Sequence, residues 1–489
     1  MSTAAAGTPP TSIAAETAAH LATEHRQAGL LWCAAALVAA MYAAAYFQSY
    51  APPVMFLTSV LAIYCSAPPK YLFSPRNFLA GYHAMFYGVA VMAAERYRNF
   101  DFSERPVVIS YLMCITSYLV CYLTLFHTET WLGGVRWVQA FTPPATSSRR
   151  RCLAIGVLMF AAGLASAFGM VQATGGVQHW MNDPGRAFLG REGGGVYCLG
   201  FVMCLGIGSC AVGVFGAQVR SVIVILAGLV VIAACTPLLG SKARTFYMLA
   251  YLILPWTFCA SVMSRSTLYL ITGLLGSFSV LTYLRNMSWM TADDFVGYSL
   301  NYFNTFDNLV LSVRDFEPSW FQTLFLPFNK LLVPFGVGDN SLFYDMNNWL
   351  TSIYLPHIWA LRCTEQWPVE TDLYLSTYYV FGIPLLMLYM AGNGLLFNLA
   401  VRTRSAGLIY VSAYATFYMV SHLRGSLIVW TDFYTVPYWV LSFLVLRKLR
   451  MPMTKWALMA PGRGGAATPQ LAAAAWPSRR TRTGLAARS

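Results

Sequence analysis

The chain has 489 residues, of which 57% are hydrophobic and only 10% charged, whereas a soluble globular domain has roughly 45 to 50% and about 25%. Such a composition makes a soluble enzyme, a nucleic-acid binder or a disordered scaffold a poor reading. The formal net charge of +13 has to be explained by where the cations stand relative to a membrane.

In chain order, residues 1–28 are rich in Ala and Thr and lack the charged start and short apolar core of a cleavable signal, so they read as a cytosolic tail. Apolar runs follow at 30–48, 53–66, 78–94, 107–126, 152–172, 196–217, 222–239, 246–263, 267–284, 373–391, 408–422 and 427–446. Most approach the length that crosses ~30 Å of hydrocarbon as a helix. They predict an all-α, polytopic integral membrane protein with about twelve transmembrane helices. The expected organisation is a cytoplasmic tail (1–28), helices one to nine (29–284), one large outer loop (285–371), helices ten to twelve (372–446) and a basic tail (447–489).

An even number of crossings returns the C-terminus to the side of the N-terminus. The tail carries Arg447, Lys448, Arg450, Lys455, Arg463, Arg479, Arg480, Arg482 and Arg488 without an acid, which the positive-inside rule assigns to the cytoplasm. Lys70, Arg76, Arg136, Arg149 to Arg151, Arg220, Arg265, Arg402 and Arg404 fall on the same side in that count. The large outer loop holds Asp293, Asp294, Asp307, Asp315, Glu317, Asp339, Asp345, Glu365 and Glu370, together with Trp320, Trp349, Trp359 and Trp367. A linker does not carry so many aromatics, so the loop is expected to fold onto the helices, partly as an amphipathic segment at 319–332. The eleven cysteines stand singly, without CxxC or Cys/His spacing. No metal, no cofactor and no structural disulfide is expected.

Two basic clusters break the alternation. Gly240, Ser241, Lys242, Ala243, Arg244 and Thr245 precede the eighth run, and His422, Leu423, Arg424, Gly425 and Ser426 precede the twelfth. Cations at the outer end of a membrane helix, beside unpaired backbone N–H groups, suit an anion such as the diphosphate of a lipid-linked substrate. The alternative is pairing with lipid headgroups or with Asp432. Acids gather where the large loop meets the tenth run, at Glu370 and Asp372 in the stretch Trp367, Pro368, Val369, Glu370, Thr371, Asp372. They either complement a helix N-terminus or activate a sugar hydroxyl, with His357 as a rival base. His179 and His422 are the other outer histidines. His83 and Tyr82 are expected to satisfy an interhelical hydrogen bond. Asn301, Asn304 and Asn308 read more readily as a solvated face than as sugar contacts.

One large outer loop late in the chain, Gly-Ser-Lys-Ala-Arg before a middle helix, Pro-Val-Glu-Thr-Asp-Leu-Tyr-Leu after the loop and Arg-Gly-Ser-Leu before the last helix resemble the Wzy-type O-antigen or oligosaccharide repeat-unit polymerases. The related O-antigen ligases share much of this plan. The resemblance implies a GT-C-like membrane glycosyltransferase of the bacterial inner membrane, with both termini cytoplasmic and one large periplasmic loop. Such an enzyme moves a glycan from undecaprenyl diphosphate to a hydroxyl of a second lipid-linked repeat unit, without a metal. Partners would be the two lipid-linked oligosaccharides, membrane lipid and a chain-length regulator, but no nucleic acid.

Carried over by motif, Arg244, Arg424 and Glu370 match the family's functional positions, while the acid usual after Arg-Gly is Ser426 here. The expected site is then Glu370 and His357 as candidate bases, with Ser241, Lys242, Arg244, Arg424 and Ser426 around the diphosphate. The competing functions are an O-antigen ligase, which differs in its acceptor, and a lipid-linked oligosaccharide flippase, which predicts broken midplane helices and internal two-fold repetition. A glycosyltransferase with an acid in its first outer loop is disfavoured, because 49–52 contains none.

Overall fold

The computed structural model describes residues 52–91, 104–131, 135–144, 148–182, 194–239, 242–262, 303–332, 343–360 and 364–452, with scattered residues at 29–39, 187 and 272–276. Residues 1–28 and 453–489, most of the first and ninth apolar runs, Asp293, Asp294, Asn301, Asp339, Cys363 and Ser241 lie outside the described residues.

Among the described residues every regular element is helical. The helices are α1 (Pro52–Ser66), α2 (Pro75–His83, continued by the π-helical turn Ala84–Val89), α3 (Arg105–Thr130), α4 (Val135–Phe141), α5 (Arg149–Ala173), α6 (Gly176–Asn182), α7 (Gly195–Val219), α8 (Val222–Leu239) and α9 (Lys242–Thr257). Then come α10 (Phe306–Asp315), α11 (Leu326–Leu332), α12 (Met346–Tyr354), α13 (Pro356–Ala360), α14 (Val369–Thr377), a 3-10 turn (Val380–Gly382), α15 (Ile383–Thr403), α16 (Ala406–Leu423) and α17 (Asp432–Leu446). Local chemistry fixes several starts. The Ser74 hydroxyl accepts the Arg76 N–H at α2, Ser148 accepts Arg151 N–H at α5, and Asp345 accepts Asn348 N–H at α12.

The expectation of about twelve spans is corrected. Among the described residues five helices are long and apolar enough to cross a membrane: Arg105–Thr130, Arg149–Ala173, Gly195–Val219, Val222–Leu239 and Val380–Thr403. Two more apolar helices, Pro52–Ser66 and Asp432–Leu446, have only 15 residues each. An apolar run reports burial and not helix length, and a short one is as readily a helix buried among others. The third run is split between α2 and its π-turn, and the eighth yields the 16-residue α9. The tenth run breaks at Tyr378 and Tyr379, whose φ of 51° and 61° are left-handed, a conformation that ends an α-helix. Its long helix therefore begins later and runs on to Thr403. The first five residues of the twelfth run, 427–431, are not helical. The chain is thus an apolar, helix-rich protein consistent with membrane association.

Two apolar cores organise the helices. One joins α1, α2, α3, α10 and α14 through Phe56, Tyr87, Tyr111, Phe306 and Leu373. The other joins α5, α7, α8 and α9 through Phe201, Cys210, Ile232 and Leu252. The hairpin of α15 and α16 belongs to both. Leu386 and Met390 of α15 and Met419 and Leu423 of α16 lie in the first core, whereas Phe397 and Ala400 of α15 and Leu408 to Val411 of α16 lie in the second.

Glycine allows α7 to approach α9 closely, because a Cβ on Gly213 would fall against the Leu252 carbonyl oxygen. Gly213→Val is expected to cost about 1 to 3 kcal/mol or more, since backbone cannot step aside as a side chain can. Gly392→Ala, which has open space around the added carbon, should leave the melting temperature in detergent unchanged or raise it.

The helices have two chemically distinct ends. At one, Leu72 N–H donates to the Ala260 carbonyl and Met451 N–H to the Arg404 carbonyl, which gathers the basic turns around Lys70, Arg404 and Arg450. Arg76, expected there as a loop cation, is instead buried. Its Nε lies 2.9 Å from Glu129 Oε2, and Nη1 donates to the Ala67 carbonyl at 2.8 Å. A neutralised arginine carries no weight in a count of loop charge. The opposite end holds Arg244, Glu370, Arg424 and Asp432.

Candidate functional site

The site forms around the C-terminal end of α16 and the eight residues, 424–431, that lead to α17. Leu423 is the last residue of α16, and its carbonyl accepts the Tyr82 hydroxyl at 2.7 Å. Tyr82 Oη is 3.0 Å from Tyr87 Oη, which is 2.8 Å from Glu370 Oε2. Tyr82 sits on α2 and Tyr87 on its π-turn, and Glu370 opens α14. Three separate stretches, α2 with its π-turn, α14 and the end of α16, are therefore connected by hydroxyl chemistry in one line.

The Leu423 carbonyl accepts from Tyr82, and Tyr87 donates to Glu370 Oε2. Glu370 is completely buried, and loss of hydration pushes its carboxyl up to about 7, against the lowering effect of its hydrogen bonds. A carboxyl near 7 holds its proton below neutral pH and loses it above.

Asp372, two residues on, binds the same loop by a second route. Its carboxylate accepts the Thr323 hydroxyl, and the Leu427 N–H and the Ser426 hydroxyl lie near enough to favour its charged form. Burial nevertheless pushes Asp372 up to about 6. Ser426, expected beside a diphosphate, is buried and lies near the Asp372 carboxylate. Asn347 adds a third tie, donating to the Arg424 carbonyl at 3.4 Å and accepting the Trp367 N–H at 2.9 Å.

The two arginines lie at this end of the helices. Arg244 is in the first turn of α9, half-buried, and Nη1 donates to the Leu239 carbonyl at 3.2 Å, across the turn from α8. Its sequence-expected position at a helix start holds. Lys242 is the first residue of α9, and its side chain lies outside the described residues, as does Ser241. Arg424 differs from expectation, because it follows the C-terminus of α16 and the next helix begins only at Asp432. The helix end beside it is therefore the electronegative one, which favours a cation. The Arg424 guanidinium carbon stands 5.0 Å from the Phe86 ring centroid, a cation–π contact from the π-turn.

Glu370 is wholly buried and cannot touch a sugar hydroxyl in this arrangement. His357 is exposed on the five-residue α13, which packs on α12. His179 is exposed on α6. His83 bonds within its own helix, to the Leu79 carbonyl at 2.9 Å, so the interhelical bond expected of the pair belongs to Tyr82 alone. Asn304 donates to Asp307 at 2.9 Å and Asn308 to the Gln366 carbonyl at 2.8 Å, which makes both structural.

Sequence reasoning missed His422 as half of a pair. Its Nε2 lies 3.2 Å from Asp432 Oδ1, and its Nδ1 lies 2.9 Å from the Tyr389 hydroxyl. The signal was present: two ionisable groups ten residues apart within apolar sequence call for each other as partners.

Outer-loop aromatics adjoin the same end. Trp320 contacts Phe321, Tyr378 and Phe381 at centroid distances of 5.8, 5.2 and 5.1 Å. The row continues through Phe325 and Phe328 to Phe433, beside Asp432. The expected amphipathic segment 319–332 is thus partly extended along α14, with Phe321 N–H donating to the Ser376 carbonyl, and partly helical as α11.

Comparison of the chain with family models, with curated proteins and with solved structures finds no match. The geometry of the site itself therefore carries the functional argument.

Proposed function

We propose that the protein is a membrane glycosyltransferase that polymerises oligosaccharide repeat units. It moves a glycan from undecaprenyl diphosphate to a second lipid-linked repeat unit at the periplasmic face of a bacterial inner membrane. The observation that carries this reading is convergence. The Glu370/Asp372 stretch and the Arg424 loop, about 50 residues apart, are tied by Tyr87–Tyr82–Leu423 and by Asp372–Ser426–Leu427, with Arg244 at the same end of the helices. These are the segments on which the family resemblance rests.

In this mechanism Arg244 and Arg424 hold the diphosphate and offset the charge that grows on it as the anomeric C–O bond breaks. Guanidinium forks match phosphate oxygens in pairs. Glu370 acts as a positioning residue: through Tyr87 and Tyr82 it fixes the Leu423 carbonyl and hence the chain at Arg424. The exposed aromatic row from Phe381 to Phe328 suits the membrane interface, where aromatic rings meet both lipid and water. It lies where a lipid-linked substrate would approach. The basic tail after Leu446 faces the cytoplasm by the positive-inside rule.

The test is incubation of the purified protein with lipid-linked repeat units alone. A polymerase extends them into a ladder of longer lipid-linked chains. Unchanged single units would reject the reading, and transfer only after a different acceptor is added would make the protein a ligase.

A further inference from the structure

His422 lies in the last turn of α16 and Asp432 is the first residue of α17, so the loop between them brings the two side chains back to one place. The His422 side chain is 3% exposed and that of Asp432 22%. Nε2 of His422 is 3.2 and 3.3 Å from the two Asp432 oxygens, and the Val429 N–H donates to Oδ2 at 2.9 Å. On the far side of the ring Nδ1 lies 2.9 Å from the Tyr389 hydroxyl and 3.1 Å from the Tyr418 carbonyl, while Nε2 faces the carboxylate. Asp432 is thus held in a fixed orientation by donors from two sides, while acceptor capacity remains on its exposed face.

The surroundings of this carboxylate match an acceptor sugar next to a diphosphate. Tyr434, in the first turn of α17 with Asp432, feels the charge of Arg244 as well as that of Asp432. Trp430 stands 5.7 Å from Tyr434 and 5.8 Å from Tyr344 between ring centroids, which forms an aromatic wall beside Asp432. The other groups facing the pair are Tyr389 of α15 and Tyr418 of α16.

We propose that Asp432 is the general base of the transfer and that His422 is its positioning residue, an assignment that rests on the polymerase reading above. The acceptor hydroxyl oxygen forms the new bond to the anomeric carbon, and its proton passes to Asp432. The bond from that carbon to the phosphate oxygen breaks, its electron pair leaving on the diphosphate held by Arg244 and Arg424. A buried imidazole that donates to the carboxylate keeps it turned toward the acceptor.

Elongation of lipid-linked repeat units by the purified protein tests the assignment. Asp432→Asn is expected to lower kcat by about 100-fold or more, with KM unchanged. His422→Ala should lose about 10-fold in kcat, again at constant KM. His422→Gln, which keeps an N–H donor, should recover most of that loss. Parental kcat in Asp432→Asn would overturn the assignment while leaving the polymerase reading intact. If Asp432→Asn does not fold, the histidine variants decide, and parental kcat in His422→Ala overturns the assignment. A parent protein that elongates nothing overturns both.

Discussion

Alanine at Arg244 or at Arg424 is expected to stop polymer growth at normal protein abundance, leaving single repeat units on the lipid carrier. Each substitution removes a charge-assisted fork from a group whose negative charge increases in the transition state, and loss of one such donor costs about 100- to 1,000-fold in rate. Two structural contacts go with the charge. Arg244→Ala loses the bond to the Leu239 carbonyl, and Arg424→Ala loses the contact with Phe86. Lysine at either position separates the effects: it keeps the charge and gives up the planar fork, so an intermediate rate is expected. Chain-length distribution and initial rate, measured on monodisperse protein, check each variant. Ladders of normal length from both alanine variants would remove the proposed mechanism.

Glu370 should impose a pH dependence on stability that Glu370→Gln abolishes. The carboxyl titrates near 7 in the folded protein, against an ordinary value of 4.5. Because the folded value is the higher one, the stabilisation is complete below about pH 4.5 and is lost as pH rises through about 7. The rise from 4.5 to about 7 corresponds to about 3 kcal/mol, at 1.36 kcal/mol for each pH unit. Glutamine keeps an oxygen that accepts the Tyr87 hydroxyl and carries no titrating charge at any pH. Relative to the parent, Glu370→Gln should therefore gain stability as pH is raised across this window, by about 3 kcal/mol in total. Thermal melting in detergent at pH 5 and pH 8 measures it. Tyr87→Phe, which opens the chain without touching a charge, should be destabilised at both. A Glu370→Gln difference that does not change with pH would mean that the carboxyl is already ionised in the fold.

The sequence made some of this legible because certain signals depend on chemistry alone. Helical character follows from apolar runs. The placement of Lys242 and Arg244 at a helix start follows from a Gly-Ser break before an apolar segment. Helix length was not legible in the same way. Tyr378 and Tyr379 look like ordinary members of an apolar run, and only the fold forces them into left-handed backbone, where Tyr379 N–H reaches back to the Leu373 carbonyl at 2.7 Å. Apolar composition reports burial, and a helix packed among others is as apolar as one facing lipid. Counting runs therefore overstated the number of spans.

The site divides along similar lines. Arg244, Arg424 and Glu370 could be singled out because charge in apolar sequence requires a reason. Their roles depend on burial and on partners hundreds of residues away in the chain, such as Tyr87 for Glu370. Ser426 illustrates the difference: the residue after Arg-Gly reads as an anion contact, yet its hydroxyl is turned toward Asp372. His422 was visible only as one histidine among several until α16 and α17 brought it to Asp432.

The central claim, that Arg244 and Arg424 grip the diphosphate of a lipid-linked glycan, is tested most directly by binding. Undecaprenyl diphosphate should bind the purified parent protein saturably and in competition with inorganic pyrophosphate. The double variant Arg244→Gln with Arg424→Gln should bind it at least about 100-fold more weakly, the equivalent of one charged hydrogen bond lost at each position. Equal affinity of parent and double variant would contradict the account.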